Sequence, residues 1–522
     1  MSDGLDGHGQ PAVPTLTRRP AGVVSLVASL AGTGFSTLIQ LIFIPVLVRL
    51  LGIEAYGLIG FYLALQGAAQ VLDVGLSPAL SRELAGLAAH PDATAEARDL
   101  VRTVESGYLV LGVVLGAILT GLAPWLGEHW FANAALPRET IVLSLQIMGA
   151  LLVVQWPISL YQSGLVGLER QIGLNAINAT ATFLANAGGA LFLWLAGPTL
   201  PRLLYWLIGV NLVRTIALAI ELWRAMPTAD RPPRIDPTRL RKIAHYAAGV
   251  AVGSAAGLLL TQLDRVAVGR FLPLADLGRY SLAANGVIAL GLIAQAAYNA
   301  LFPRLAGFAE IGDGPALAAQ FHLTAQIMAV VVVPLGLVLV LFARDVFTLW
   351  TGDALQARAI APAAALLAGG SVLNALSVPP YALQLAARWT RLNAFVSFAL
   401  LLVAIPLWIS LPQLGGLTGA ASVWLIINLL LFTTYAALTF TRLIPAERGN
   451  WLRNDVLLPV AAMLVVTGGL RLTADALAPD RTGWVAALAL VVATVAAFAV
   501  ALATTAHPRR ALVQLLRDRK VV

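Results

Sequence analysis

Arg214 stands eleven residues into an apolar run at residues 203–223. That is about 16 Å along a helix, near the middle of a bilayer's hydrocarbon. Asn211, Thr215 and Glu221, at i−3, i+1 and i+7, fall on or beside its helical face. A guanidinium keeps its proton in proteins and offers a planar fork of donors, so its chemistry is bidentate recognition of an oxyanion such as phosphate. The competing reading is an arginine bonded to carbonyls or to a carboxylate on a neighbouring helix. Residues 57–80 carry a second array, Tyr62, Gln66, Gln70, Asp73 and Ser77, spaced 4, 4, 3 and 4 apart and therefore on one face of a single helix. Amides and a carboxylate in that array could bind the hydroxyls of a polar ligand. Asp73 could carry a coupling proton, pair with Arg214, or satisfy a packing contact.

Further polar faces follow the same spacing. The run 174–196 shows Asn175, Asn178, Thr182 and Asn186; 21–48 shows Ser25, Ser29, Thr33, Ser36 and Gln40; 360–387 shows Ser371, Asn374, Ser377, Tyr381 and Gln384. Single serines in such helices are usually interhelical hydrogen bonds worth roughly 0.6–2 kcal/mol, but whole arrays point to a hydrated cavity. Asp264 and Arg265 sit late in the run 245–269. As neighbours they point about 100° apart on a helix, so they either gate one mouth against Arg49 or Arg270 or join an interhelical ion pair.

These residues need a membrane to matter. The chain has 522 residues, 59% hydrophobic and only 11% charged, with a mean hydropathy of +0.82, and that composition belongs in a bilayer. The net charge of +8 lies in short segments between apolar runs. It is no basic stripe interleaved with aromatics, so nucleic acid is not an expected partner. With no cysteine, and six histidines outside any metal-binding spacing, thiolate, iron–sulfur and metal chemistry lack support and no cofactor is expected. The first run is too long for a signal peptide and reads as a membrane helix.

Fourteen runs are long enough to span hydrocarbon: 21–48, 57–80, 104–126, 140–163, 174–196, 203–223, 245–269, 279–302, 320–343, 360–387, 392–411, 417–440, 455–474 and 484–506. With the N-terminus inside, 23 of the 34 basic residues fall on the inner side, so both termini are expected in the cytoplasm. "RLLGIEAYG" at 49–57 reappears as "RFLPLADLG" at 270–278, and "SPALSRELAG" at 77–86 as "YNALFPRLAG" at 298–307, both at an offset of 221. Six spans separate the copies, which predicts an all-α polytopic fold of two six-helix bundles in parallel repeat plus two extra C-terminal helices. The expected boundaries are a tail at 1–20, a first bundle at 21–223, a basic linker at 224–244, a second bundle at 245–440, extra helices at 441–506 and a basic tail at 507–522. The extra helices carry almost no polar face and read as facing lipid or as forming a groove for a lipid tail rather than lining a cavity.

The run "LVRLLGIEAYGLIGFYLALQGAAQVLDVGLSPALSRELAG", the later "QLDRVAVGRFLPLADLGRYSLAA" and the turn "GLVGLERQIGLNA" resemble the polysaccharide transporter family of oligosaccharide flippases (Wzx-like). That family lies within the multidrug/oligosaccharidyl-lipid/polysaccharide exporter superfamily. The resemblance covers spans 1 to 12. It implies two six-helix bundles around a central cavity in the bacterial inner membrane, no enzymatic reaction, and translocation of an undecaprenyl-diphosphate-linked oligosaccharide from the cytoplasmic to the periplasmic leaflet. Membrane lipids, a polysaccharide polymerase and a chain-length regulator are the further candidate partners. On this reading Arg214, Asn211, Gln66, Gln70, Asp73, Asn175, Asn178, Asn186 and Gln40 bind substrate, and Asp73, Asp264 and Arg265 gate or couple an ion. The rivals are a cation-coupled multidrug antiporter of the same superfamily and a membrane polysaccharide polymerase. The first would want acidic or aromatic cavity residues, and the second a larger outer loop than any here.

Overall fold

The computed structural model describes residues 20–73, 75–88, 90, 93–132, 134–236, 238, 256–479 and 481–510. Among them the secondary structure is helical without a strand, and twelve stretches are long and apolar enough to cross a membrane. Helices are what hydrocarbon permits, because it offers the backbone no partners beyond the segment itself. The chain is a multi-pass membrane protein.

The first half contains α1 (Pro20–Leu51), α2 (Ile53–Ala69), α3 (Leu76–Ala88), α4 (Thr94–Trp125), α5 (Arg138–Gln155), α6 (Ile158–Gly167), α7 (Gln171–Phe183), α8 (Gly189–Ala196) and α9 (Leu200–Ala225). The second contains α10 (Leu263–Phe271), α11 (Leu274–Ile311), α12 (Gly314–Leu341), α13 (Ala343–Thr351), α14 (Ala354–Ala386) and α15 (Thr390–Arg442). Then come α16 (Leu458–Leu477) and α17 (Gly483–Thr504).

Several expected spans have different limits. The run 57–80 is not one helix: α2 tightens into a 3-10 turn at Gln70–Leu72, and a turn closed by the Asp73 carbonyl precedes α3. The run 140–163 breaks after Gln155, at Trp156 and Pro157, between α5 and α6. The runs 392–411 and 417–440 are two helices, the arms of α15 on either side of Gly416, whose φ of 55° and ψ of −136° are non-helical and open to glycine. The run 245–269 lies partly outside the described residues, and its described end turns at Thr261 and Gln262 before α10. The side chains of Ser25 and Ser29 and most of both tails also lie outside the described residues.

The bundle has an Arg49 end and an Arg98 end, and at the Arg49 end the two copies of the repeated sequence meet. Gly57 of α2 packs on the backbone of Leu274 and Gly278, while Gly278 of α11 packs on the backbone of Ile53. Ile53 and Leu274, like Gly57 and Gly278, are 221 positions apart, so the contacts are reciprocal. Gly60 faces Ser281, its own counterpart at that offset. Arg49 donates from Nε to the Thr351 carbonyl oxygen at 2.8 Å, and its counterpart Arg270 lies 5.7 Å over the Trp130 ring. Trp130 and Thr351 are again 221 apart. The Asn285 amide adds a bond to the Tyr56 hydroxyl at 2.6 Å. Contacts that map onto themselves in this way are those of two like surfaces facing across a two-fold axis.

The C-terminal pair is pinned to the second half at both ends. At the Arg98 end His322 of α12 meets Asp455 through Nδ1 and Glu447 through Nε2 at 2.9 Å. Gln326 donates to Asp455 at 2.8 Å and accepts from the His507 N–H at 2.8 Å. Asp455 sits in a π-helical segment, Trp451–Leu457, that leads into α16. At the Arg49 end Asp345 of α13 accepts from Arg471 at 2.6 Å and from Arg481 at 2.8 Å. The middles of this pair are apolar, as a pair with almost no polar face should be, while the ends bury charge. The linker also docks. Arg231 and the Arg234 N–H both bond Asp99 of α4, and the Asp236 N–H bonds Thr103 at 2.9 Å. Its remainder, beyond residue 238, lies outside the described residues.

Candidate functional site

Arg214 projects from α9 toward α7, half-buried. It donates from Nε at 3.1 Å and from Nη2 at 2.9 Å to one acceptor, Oδ1 of Asn178. The same oxygen accepts from Gln162 of α6 at 3.1 Å. Asp73 is engaged elsewhere: the Ser77 hydroxyl donates to its two oxygens at 2.8 and 2.9 Å, and the Tyr108 hydroxyl donates to Oδ1. The turn after Asp73 makes this local satisfaction possible, because it brings Ser77 back over the carboxylate. Among the described residues no carboxylate forms an ion pair with Arg214, so the guanidinium has a neutral amide where a counter-charge would be expected.

Three adjoining recesses share Arg214 as a wall. One of about 320 Å³ is bordered by Gln66, Gln70, Asp73, Gln155 and Gln162. A second of about 250 Å³ is bordered by Gln40, Asn175 and Asn178. The third, about 270 Å³, is bordered by Gln40, Gln66, Asn186, Asn211 and Asn285. All nine residues singled out from the sequence as substrate-binding therefore border at least one recess. Asn211 and Asn186 also return a hydrogen bond to their own helix turn, to the Leu207 and Thr182 carbonyls. Asp264 and Arg265 lie elsewhere. Asp264 accepts from the Tyr280 hydroxyl at 2.9 Å and from the Arg265 N–H at 2.7 Å, and Arg49 and Arg270 are held by Thr351 and Trp130 instead.

Sequence reasoning missed Gln155, Gln162 and Asn285. Gln155 gathers the α2 face, its Oε1 accepting from the Tyr62 hydroxyl at 3.0 Å and from Gln66 at 2.8 Å. Gln155 and Gln162 are seven residues apart, a same-face interval that could have signalled them. Asn285 belongs to the second half yet borders a recess of the first, which no spacing rule reveals.

The arrangement is a cluster of amides around one cation in a low-dielectric surround. Amides both donate and accept, so they suit hydroxyl groups. A desolvated guanidinium with only a neutral partner favours an arriving anion, and its fork matches two oxygens of a phosphate. No metal ligand cluster occurs among the described residues.

Residues 24–308, more than half of the chain, match the family described as polysaccharide biosynthesis protein. A candidate O-antigen transporter of Shigella flexneri is 24% identical over 410 residues, which cover 76% of this chain and 93% of that protein. Among solved structures, the lipid II flippase MurJ in an inward closed conformation aligns with a TM-score of 0.69 at 12% identity, over 92% of this chain and 98% of that one. An inward-facing multidrug resistance MATE family transporter of the MOP superfamily aligns with a TM-score of 0.59 at 14% identity, over 78% and 95%. At such identities the likeness to the two structures is one of fold.

Proposed function

Because the chain belongs to the polysaccharide biosynthesis protein family, we propose that it is a flippase that moves an undecaprenyl-diphosphate-linked oligosaccharide from the cytoplasmic to the periplasmic leaflet of a bacterial inner membrane. The observation that carries this reading is Arg214, a mid-membrane cation bonded only to neutral groups and shared by three polar recesses. A buried charge without a counter-ion is costly, and the cost falls when a diphosphate supplies the missing partner. The surrounding amides hold sugar hydroxyls that would otherwise lose their hydrogen bonds to water.

The positive-inside bias assigns the Arg98 end and both termini to the cytoplasm. The Arg49 end, shut by the reciprocal packing around Gly57, Gly60 and Gly278, then faces the periplasm. Substrate loads from the cytoplasmic side, and rocking of the halves opens the Arg49 end for release. No bond is made or broken. A periplasmic polymerase and its chain-length regulator would receive the released lipid. Export of organic cations, the superfamily alternative, is disfavoured by the same guanidinium, which repels them.

The test is complementation of a flippase-deficient host, read as surface polysaccharide against the amount of protein in the membrane. Arg214→Lys keeps the charge but loses the fork and should export partially. Arg214→Ala should lower export at least tenfold at unchanged abundance. Full export by Arg214→Ala, or drug resistance without polysaccharide export, would overturn the proposal.

A further inference from the structure

The second half holds its own cavity, of about 300 Å³, which α11 borders through Gln295. Resting on the flippase reading above, we infer that this cavity binds neutral sugar rings farther along the oligosaccharide while the diphosphate and the first sugar occupy the Arg214 recesses.

Tyr435 stands 221 positions after Arg214, the offset of the repeat, and like it reaches an asparagine on the preceding span, but the chemistry differs. In the first half α9, the sixth span, sends Arg214 to Asn178 on the fifth. In the second half the C-terminal arm of α15, again the sixth span, sends Tyr435 to Asn393 on the preceding arm. A cation in one cavity is a phenol in the other. Among the described residues no charged side chain lines the second cavity, so a phosphate or an acidic sugar would lose its water there without gaining a partner.

What does line it suits a sugar on both faces. Tyr381 and Tyr435 stack with ring centroids 5.9 Å apart and planes 15° apart, and Trp424 lines the same cavity. Such surfaces pack against the C–H face of a pyranose. Asn374 donates to Asn428 at 2.8 Å, and among the described residues its carbonyl oxygen accepts no bond. It therefore offers an acceptor to a sugar hydroxyl. An apolar drug or acyl chain is excluded by the same amides, which it would leave unpaired. Position agrees with this division. Asn285 borders the Arg214 recess and Gln295 the second cavity, both on α11, and ten residues of helix separate them by about 15 Å. A diphosphate and the sugars beyond the first span such a distance.

The test uses the full chain in lipid nanodiscs and two probes: farnesyl diphosphate, which carries no sugar, and the lipid-linked oligosaccharide pool extracted from a host that the wild-type chain complements. Asn374→Leu and the milder Tyr435→Phe should each weaken binding of the glycan-bearing lipid about tenfold and leave farnesyl diphosphate unchanged, which also shows that the variants are folded. Arg214→Lys should weaken both. Unchanged glycan-lipid affinity in both second-cavity variants, or equal loss for the two probes, overturns the inference. A wild-type chain that binds neither probe and does not complement overturns the flippase reading itself, a result distinct from the other two.

Discussion

Replacing Gly57 by alanine should hold the two halves apart at the Arg49 end. In the closed arrangement the new methyl would stand 3.0 Å from the Gly278 nitrogen and nearer still to the Leu274 carbonyl oxygen, against backbone that cannot swing aside. Overpacking of this kind costs about 1–3 kcal/mol. If only the closed state carries that cost, the equilibrium moves about 5- to 150-fold toward opening. Gly278→Ala should act alike, because its methyl meets the Ile53 backbone across the reciprocal contact. The double substitution should fall short of the summed effects, since one displacement makes room for both methyls. The chain has no cysteine, so Ser281→Cys supplies a unique thiol at a position 1% exposed and facing Gly60. Among the described residues the Ser281 hydroxyl has no hydrogen-bond partner, so its replacement forfeits none. The rate of maleimide modification of that thiol then reports how often this end opens. If Gly57→Ala with Ser281→Cys reacts no faster than Ser281→Cys alone, at equal abundance, the packed glycines are not the closed gate.

His322→Ala should destabilise the protein by about 3–5 kcal/mol, because it leaves the buried Asp455 carboxylate without its imidazole. His322→Gln with Asp455→Asn, which removes the carboxylate together with the imidazole, should regain most of the loss in a thermal-unfolding assay in detergent; a single and a double variant that melt together would contradict the pairing. For topology, Leu477→Cys at the end of α16, 87% exposed, should react with an impermeant thiol reagent added outside, whereas Ala229→Cys in the linker should stay unmodified until the membrane is permeabilised. Labelling of Ala229→Cys from outside would invert the orientation proposed here.

Much of the architecture was legible because a membrane span announces itself by length and hydropathy alone, as at 203–223 and 484–506. The interruptions were not. A break such as the one after Asp73 depends on one side chain taking bonds from a neighbour four residues on, and averaging over some twenty residues hides it. Polar faces were legible for the same reason as spans: helical spacing places Gln66 and Gln70, or Asn175 and Asn178, without reference to any other helix. Choice of partner was not legible. That Arg214 reaches Asn178 while Asp73 is satisfied by Ser77 and Tyr108 depends on how α7 and α9 face each other. The duplication was plain as text, but that its two copies touch required the position of the axis between the halves.

The clamp on the C-terminal pair bears on how the protein is made. Asp455 follows its partner His322 by 133 positions, and Arg481 follows Asp345 by 136. At a synthesis rate of about 5–20 residues per second, such a gap lasts roughly 7–27 s. Through that interval His322 and Gln326 of α12 and Asp345 of α13 wait for groups the ribosome has yet to add. A nascent chain stopped near Arg442 would have inserted most of its spans with these polar groups still lacking Glu447, Asp455, Arg471 and Arg481, a mark by which membrane proteases and insertion chaperones could tell an unfinished copy from a complete one.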